Sequence, residues 1–131
     1  MYVVCMNNKQ PIKVADEVWI GTALLHREQP ETSDFSIREI VDRVAEESIA
    51  GRLRPGVQVH ASVHCVANKR PNPGNYRMLY ETGRGRRRLF KTAIDEYHPY
   101  REGGKVLPQR EVIPERYWEL LEWYRTEFLK R

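Results

Sequence analysis

The chain lacks the features that mark several large classes of protein. Its 131 residues include two cysteines, Cys5 and Cys65, which lie far apart and form no CxxC pair. No disulfide framework is therefore expected. No apolar run approaches the roughly 20 residues that a membrane-spanning helix requires. The first residues have a short apolar stretch and no basic start, which does not fit a signal peptide. We expect a cytoplasmic protein that does not contact a membrane.

Motifs of common enzymes are also missing. There is no P-loop, no nucleotide-binding glycine motif and no nucleophile elbow. His60, His64 and Cys65 could approach a metal on one helix, but structural zinc needs four ligands at characteristic spacings. No triad pattern accompanies Cys65. The acidic stretch Asp95–His98 stands alone, whereas a two-metal nuclease needs carboxylates from several elements. We expect no catalytic activity, no metal and no cofactor.

Acidic residues are scarce between Arg52 and Lys91. This segment contains ten basic residues and one acid, Glu81, so its net charge is +9, while the whole chain is only +4 and the remainder carries −5. Charge segregated in this way makes a local positive field. The phosphate backbone of nucleic acid is the commonest partner of such a field.

Five of the ten basic residues cluster at the tip and return arm of an apparent β-hairpin, YRMLYETGRGRRRLFK (Tyr76–Lys91). Its turn, Gly83-Arg84-Gly85, is rich in glycine, which permits positive φ and close approach to a ligand. A solvated, disordered basic loop is the alternative. Apolar and aromatic residues argue against it because they can anchor the hairpin to a core: Tyr76, Met78, Leu79, Tyr80, Leu89 and Phe90.

Two helices are indicated before the basic segment. Ser36 and Glu39 have the spacing of a capping box, with Phe35 and Ile40 placed as a hydrophobic staple. An apolar face follows, and we expect Gly51 to end this helix. The stretch Val14–Glu28 also has an apolar stripe, although it contains Gly21, and Pro30 closes it.

The segment Val57–Ala67 fits two structures. Its odd positions are apolar and its even positions from 58 to 64 are polar, which is typical of a strand. Val59, Val63 and Val66 also share one side of a helix. The preceding Pro55-Gly56 suits a turn into a new element, and a helix here completes a recognisable order of three. We therefore favour the helix, with these valines facing inward.

A last helix is expected after Pro114, which suits the first turn of a helix. It carries a broad apolar stripe: Tyr117, Leu120, Leu121, Tyr124 and Phe128. The stripe fits either packing on the rest of the chain or a homodimer. Trp118 and Trp123 lie at its sides, and tryptophan is enriched where proteins meet their partners.

Three helices followed by a basic hairpin resemble the winged helix-turn-helix superfamily of DNA-binding proteins, in particular its small, largely uncharacterised prokaryotic members. The resemblance covers roughly residues 14–91. It rests on SIREIVDRVAEE for the second helix, VHASVHCVAN for the recognition helix and YRMLYETGRGRRRLF for the wing. The connection Ser48–Gly56 is longer than the tight turn of the simplest members.

The resemblance implies an α+β fold: a winged helix-turn-helix of three helices and a two-stranded wing, with a C-terminal aromatic helix. The implied segments are an N-terminal extension (1–13), the winged helix-turn-helix domain (14–91), a linker (92–113) and the C-terminal helix (114–131). In this family the third helix enters the major groove and the wing reaches the adjacent backbone or minor groove.

The resemblance also implies a set of DNA-binding residues. The outward face of the third helix would be Gln58, Ala61, Ser62, His64, Cys65, Asn68 and Lys69, from which we take Gln58, Ser62, His64, Asn68 and Lys69 as DNA contacts. The wing would contribute Arg77, Arg84, Arg86, Arg87 and Arg88. Phosphate contact requires only position and charge, whereas base contact requires matched hydrogen bonds.

The expected function is binding of double-stranded DNA, as a transcriptional regulator or as an accessory subunit of a DNA-processing or defence system. Two alternatives remain open. One is a protein–protein interaction module on a winged-helix scaffold. The other is an RNA-binding protein in which Tyr76, Tyr80 and Phe90 stack on bases beside the arginines.

Overall fold

The computed structural model describes residues 11–71 and 74–131, so most of the expected N-terminal extension lies outside the described residues. The fold is α+β. Its helices and strands are α1 (Val14–Glu28), β1 (Phe35–Ser36), α2 (Ile37–Glu47), α3 (Gly56–Val59), a π-helix (His60–His64), β2 (Leu79–Gly83), β3 (Arg86–Leu89) and α4 (Trp118–Thr126). Short 3-10 helices occupy Pro99–Arg101, Arg110–Val112, Glu115–Tyr117 and Phe128–Lys130. None of the helices in these two ranges has the length and apolarity to cross a membrane.

The sheet is antiparallel and has three strands in the order β1-β3-β2. The expectation of a two-stranded wing is therefore wrong in its strand number. Phe35 pairs with Arg87 and Ser36 with Arg86. Ser36 is the N-cap of α2 and is extended, Phe35 precedes it, and both residues pair with the free edge of β3. A two-residue strand carries too little alternation to be recognised in a sequence.

The capping box that predicts α2 is present in the structure. The backbone N–H of Glu39 donates to Ser36 Oγ at 3.0 Å, and the N–H of Ser36 donates to Glu39 Oε1 at 2.8 Å. The helix ends at Glu47, before the expected stop at Gly51, because Ser48 adopts the left-handed conformation with φ 52°.

Helix α1 spans the predicted residues, and the glycine inside it has a packing role. A Cβ at Gly21 would lie 2.6 Å from Val44 Cγ2 of α2. Any side chain at this position would therefore push the two helices apart. Glycine costs roughly 0.5–1 kcal/mol in a helix relative to alanine, and here close contact between α1 and α2 compensates for that cost.

The ambiguous segment after Pro55 is helical through His64, so the helix interpretation is confirmed over the strand. We call α3 and the π-helix together the third helix, Gly56–His64. The backbone N–H of Cys65 donates to the carbonyl of His60 at 2.9 Å, a five-residue step. A π turn contains more residues than an α turn, so residues spaced four apart stay on one side of the helix.

The side of the third helix that faces the core differs from the expected one. Val57, Ala61 and Cys65 are fully buried, whereas Val59 is 41% exposed. The expectations that Val59 faces inward and that Ala61 and Cys65 face outward are therefore wrong. Both sides of this helix carry apolar residues, because Val57, Ala61 and Cys65 share one side at a four-residue spacing while Val59, Val63 and Val66 share the other. Packing against the rest of the chain decides between the two sides.

The C-terminal aromatic stripe packs within the chain. Tyr117, Leu120, Leu121, Tyr124 and Phe128 are all buried. The rings of Tyr124 and Trp19 of α1 lie 6.0 Å apart, and the Tyr124 hydroxyl donates to the carbonyl of Phe90. Burying each large apolar side chain contributes roughly 1.5–3 kcal/mol. One chain thus covers the stripe, and the homodimer stays a prediction.

Residues 92–113, expected to form a linker, pack against the rest of the protein. Arg101 is fully buried there. Its guanidinium donates to four backbone carbonyls at 2.6–2.8 Å, those of Val63, His64, Lys69 and Tyr76. The segment therefore supports the C-terminal end of the third helix, where carbonyls have no partner within the helix.

Candidate nucleic-acid interface

Half of the basic residues between Arg52 and Lys91 are paired with carboxylates. The pairs are Arg54 with Glu17, Arg86 with Asp34, Arg88 with Asp95, and both Lys69 and Arg87 with Glu81. Three of these four carboxylates belong to parts of the chain outside the basic segment. The positive field at this surface is therefore weaker than the charge of the segment alone indicates.

Arg87, expected to contact DNA, is only 3% exposed. Its guanidinium donates to the carbonyls of Ala61 and Ser62, both at 3.1 Å, and to Glu81 Oε2 at 3.3 Å. Burial lowers the pKa of Arg87, while the charge of Glu81 opposes this shift. Its assignment as a DNA contact is corrected, because its donors satisfy helix-end carbonyls that have no intrahelical partner.

Arg86 and Arg88 also have structural partners. Arg86 donates to Asp34 Oδ1 through Nε and Nη2, at 3.0 and 2.9 Å. A hydrogen bond from the Thr82 hydroxyl is the main reason why the pKa of Asp34 is lowered, and Arg86 adds to the effect. Arg88 forms a bidentate ion pair with Asp95, with donor–acceptor distances of 2.7 and 2.8 Å. Both arginines tie β3 to neighbouring segments.

Arg84 differs from the other wing arginines because it is exposed at the tip of the turn. The next residue, Gly85, has φ 72°, a conformation that favours glycine. Arg84 forms no ion pair or side-chain hydrogen bond within residues 11–71 and 74–131. Arg77, the fifth predicted wing residue, lies with its guanidinium 4.2 Å from the centre of the Tyr97 ring and donates to the carbonyl of Gly104.

The hairpin aromatics are turned toward the protein. Phe90 is buried, and Tyr76 and Tyr80 are half-buried. The guanidinium of Arg88 covers Tyr80 at 4.8 Å from the ring centre. A base could not stack on the faces of these rings without displacing what already covers them, which weakens the RNA-binding alternative.

The predicted contacts on the third helix separate into two groups. Gln58 is exposed and Ser62 is half-buried on the outer side, beside exposed Val59. Asn68 instead pairs with the backbone of Glu81 in both directions, at 2.8 and 3.0 Å. Lys69 lies 3.5 Å from the Glu81 carboxylate. The assignment of Asn68 to a base contact is corrected, because its amide joins the helix end to β2.

His64 is half-buried against Arg101 and His60. The His60 and His64 rings meet edge to face at 4.8 Å, and His60 Nδ1 lies 2.9 Å from the carbonyl of Gly56. Burial lowers the pKa of His64, and the neighbouring His60 and Arg101 add to this shift. This shift favours the neutral imidazole, which makes His64 less suited to a phosphate contact.

Arg87 connects the hairpin to the third helix, because its guanidinium donates to the carbonyls of Ala61 and Ser62. Arg84 precedes Arg87 by three residues, a span of at most roughly 10 Å in an extended chain. We call Gln58, Val59, Ser62 and Arg84 the helix–turn surface.

Several buried polar residues were not indicated by the sequence. Asp16 is fully buried, neither of its carboxylate oxygens has a partner within residues 11–71 and 74–131, and burial raises its pKa. Cys65 is also fully buried, and burial raises the pKa of its thiol, which makes it a poor nucleophile. Within the part of the chain that the structure describes, no three His, Cys, Asp or Glu side chains are grouped to hold a metal.

Comparisons of this chain with protein-family models, with curated proteins and with solved structures found no match.

Proposed function

We propose that the chain binds double-stranded DNA through the helix–turn surface, with the third helix against a groove and Arg84 on the phosphate backbone. One observation carries the proposal: Arg87 fastens the hairpin to the third helix, whose outer side is exposed. The same hairpin carries Arg84 on its glycine-containing turn, exposed and without an ion pair among residues 11–71 and 74–131. The element order α1-β1-α2-α3-β2-β3 supports it further, because in a winged helix a strand pair follows three helices and flanks the last of them.

Each residue of the helix–turn surface has a distinct part in this proposal. The Gln58 amide has the donor and acceptor that match the N6 and N7 edge of adenine. Val59 offers methyl groups to a thymine methyl, and the small Ser62 permits close approach of the helix. Arg84 contacts phosphate and so fixes the register without reading sequence.

The charge pairing limits how strongly this surface binds DNA. Arg52, Arg70 and Arg84 are exposed and form no ion pair in the described ranges, whereas five other cations of the segment are paired. Each neutralised phosphate contributes about −0.9 to the slope of log K against log salt. We therefore expect a slope no steeper than about −3, which fits weak DNA binding or a role beside a second subunit.

The test is a fluorescence-anisotropy titration of a random-sequence duplex across salt concentrations. Arg84→Ala should lower the affinity about tenfold at low salt and make the slope about 0.9 shallower, because one phosphate contact is lost. Arg125→Ala is the matched control, since Arg125 is an exposed arginine on α4 and is not part of the helix–turn surface. It should leave both quantities unchanged.

Two results would contradict the proposal. One is an Arg84→Ala variant that binds the duplex as the parent does. The other is an equal loss in both arginine variants, which would mean that only net charge matters. Both substitutions are at exposed positions, where stability changes stay within about 0.5 kcal/mol, so misfolding does not obscure the comparison.

A further inference from the structure

A second group of cations surrounds a small cavity that the DNA-binding proposal does not use. The cavity has a volume of about 200 Å³ and is lined by Lys91, Thr92, Ala93, Ile94, Leu129, Lys130 and Arg131. Three of these seven residues are cationic, and none of them is acidic. We call it the 91–131 cavity.

Two of the cationic heads gather around one buried ring. Lys91 Nζ lies 5.3 Å from the centre of the Phe128 ring, and Arg131 Cζ lies 5.5 Å from the same point. Burial lowers the pKa of Lys91, and the charges of Arg88 and Arg131 lower it further, against the opposing effect of Asp95. The cations therefore repel one another, and an added anion would relieve that repulsion.

The side-chain carboxylate of Asp95, whose charge acts on Lys91, is already bound by other donors. The side chain of Asp95 is only 5% exposed and accepts hydrogen bonds from Nη1 and Nη2 of Arg88, at 2.7 and 2.8 Å. It also accepts the backbone N–H of Lys91 at 2.7 Å. These three donors hold the Asp95 carboxylate, and among the described residues it forms no salt bridge with Lys130 or Arg131.

The rim of the 91–131 cavity is apolar. Ile94 is 71% exposed, a high value for a large aliphatic side chain, and Leu129 is half-buried beside it. Cations next to an exposed aliphatic surface suit a ligand that has both an anionic head and an apolar body. The volume is below the roughly 300–1,000 Å³ of pockets for drug-sized ligands, so the ligand is small.

We propose that the 91–131 cavity binds a small phosphate monoester, with the phosphate among Lys91, Lys130 and Arg131 and a short apolar group against Ile94 and Leu129. A dianion matches several convergent cations better than a single charge does. Arginine offers paired donors for phosphate oxygens, lysine acts as a point charge, and the Thr92 hydroxyl is a further donor. The proposal is independent of DNA binding at the helix–turn surface.

The experiment uses phenyl phosphate as the probe and calorimetric titration of the full chain. The parent protein should bind one equivalent, more tightly than it binds inorganic phosphate, because the ring contacts Ile94. Lys91→Met should weaken binding at least tenfold. Lys13→Met is the matched control, since Lys13 is an exposed lysine at the start of α1, and it should change the affinity less than twofold.

A second pair of variants avoids any effect on folding. Ile94 and Val112 are both exposed aliphatic side chains, so Ile94→Asp and Val112→Asp should both fold. Ile94→Asp places a negative charge on the cavity rim and should weaken phenyl phosphate binding at least tenfold, while Val112→Asp should not. No binding by the parent at millimolar probe, or equal losses in the paired variants, overturns the proposal.

A nucleic-acid phosphate is the other source of the same chemistry, and duplex binding distinguishes it. Lys91→Met should leave the affinity for a random duplex within twofold of the parent value. If duplex binding and phenyl phosphate binding fall together, the anion belongs to nucleic acid and the small-ligand assignment is overturned.

Discussion

The hairpin Tyr76–Lys91 and the C-terminal segment 92–131 both differ from what their compositions indicate. The basic hairpin is expected to bind a ligand and the C-terminal segment to be a linker and a packing helix. The hairpin carries the concentrated charge, yet Arg86, Arg87 and Arg88 have partners within the protein. The C-terminal segment supplies Asp95, the buried Arg101 and two cations of the 91–131 cavity. The net charge of a segment therefore describes only residues that are adjacent in sequence. The fold decides which carboxylates from other segments pair with a run of basic residues.

The largest effect is expected in the segment that was predicted to be a linker. Arg101→Met should lower the free energy of unfolding by about 3 kcal/mol or more, because several buried carbonyls lose their donor at about 1–3 kcal/mol each. Urea unfolding followed by circular dichroism measures this. Arg125→Met, an exposed arginine of the same C-terminal segment, should change the stability by no more than about 0.5 kcal/mol. Equal stability of the two variants would restore the linker interpretation.

Within the hairpin, two arginines three residues apart should behave differently. Arg87→Met should cost about 1–3 kcal/mol, because the carbonyls of Ala61 and Ser62 lose a buried donor. Arg84→Met should stay within about 0.5 kcal/mol of the parent. The same urea titrations measure both. An unfolding free energy of Arg87→Met equal to that of the parent would contradict this. It would mean that the buried and the exposed arginine of the hairpin contribute alike to stability.

The smallest effect concerns His26, where the two regions meet. His26 Nε2 accepts the N–H of Leu89 in the hairpin at 3.2 Å, and its ring lies 4.7 Å from that of Phe128. Burial lowers the pKa of His26 from 6.5 to about 3, with Arg131, Arg88 and Lys91 adding to the shift. Between these two pH values the unfolded chain binds a proton that the folded chain does not, so stability falls as the pH falls.

From pH 6.5 to 5.5 this titration should remove about 1 kcal/mol of stability. His26→Gln keeps an acceptor for the N–H of Leu89, but glutamine does not titrate. Between pH 6.5 and 5.5 the unfolding free energy of this variant should therefore change by about 1 kcal/mol less than that of the parent. Urea unfolding at both pH values measures the difference. Parallel pH dependence in the two proteins would show that His26 is not held neutral between the two regions.

Short-range patterns determined much of this protein from its sequence. The capping box at Ser36 and Glu39 predicts α2, the apolar stripe predicts α1 to the residue, and the glycine turn predicts the hairpin. These signals are reliable because each depends on residues within one or two turns of one another. The aromatic stripe of α4 likewise indicated burial, although not whether the chain itself or a second copy would cover it.

The tertiary structure alone decided which side of the third helix faces outward, because both of its sides carry apolar residues at helical spacing. It also decided which cations remain available to a ligand. Ion pairs such as Arg86 with Asp34, and donors such as Arg101, join residues more than 30 positions apart. Coulomb interactions depend on the distance between charges in space. The same amino-acid composition can therefore give a basic surface or a neutralised one, depending on which residues the fold brings together.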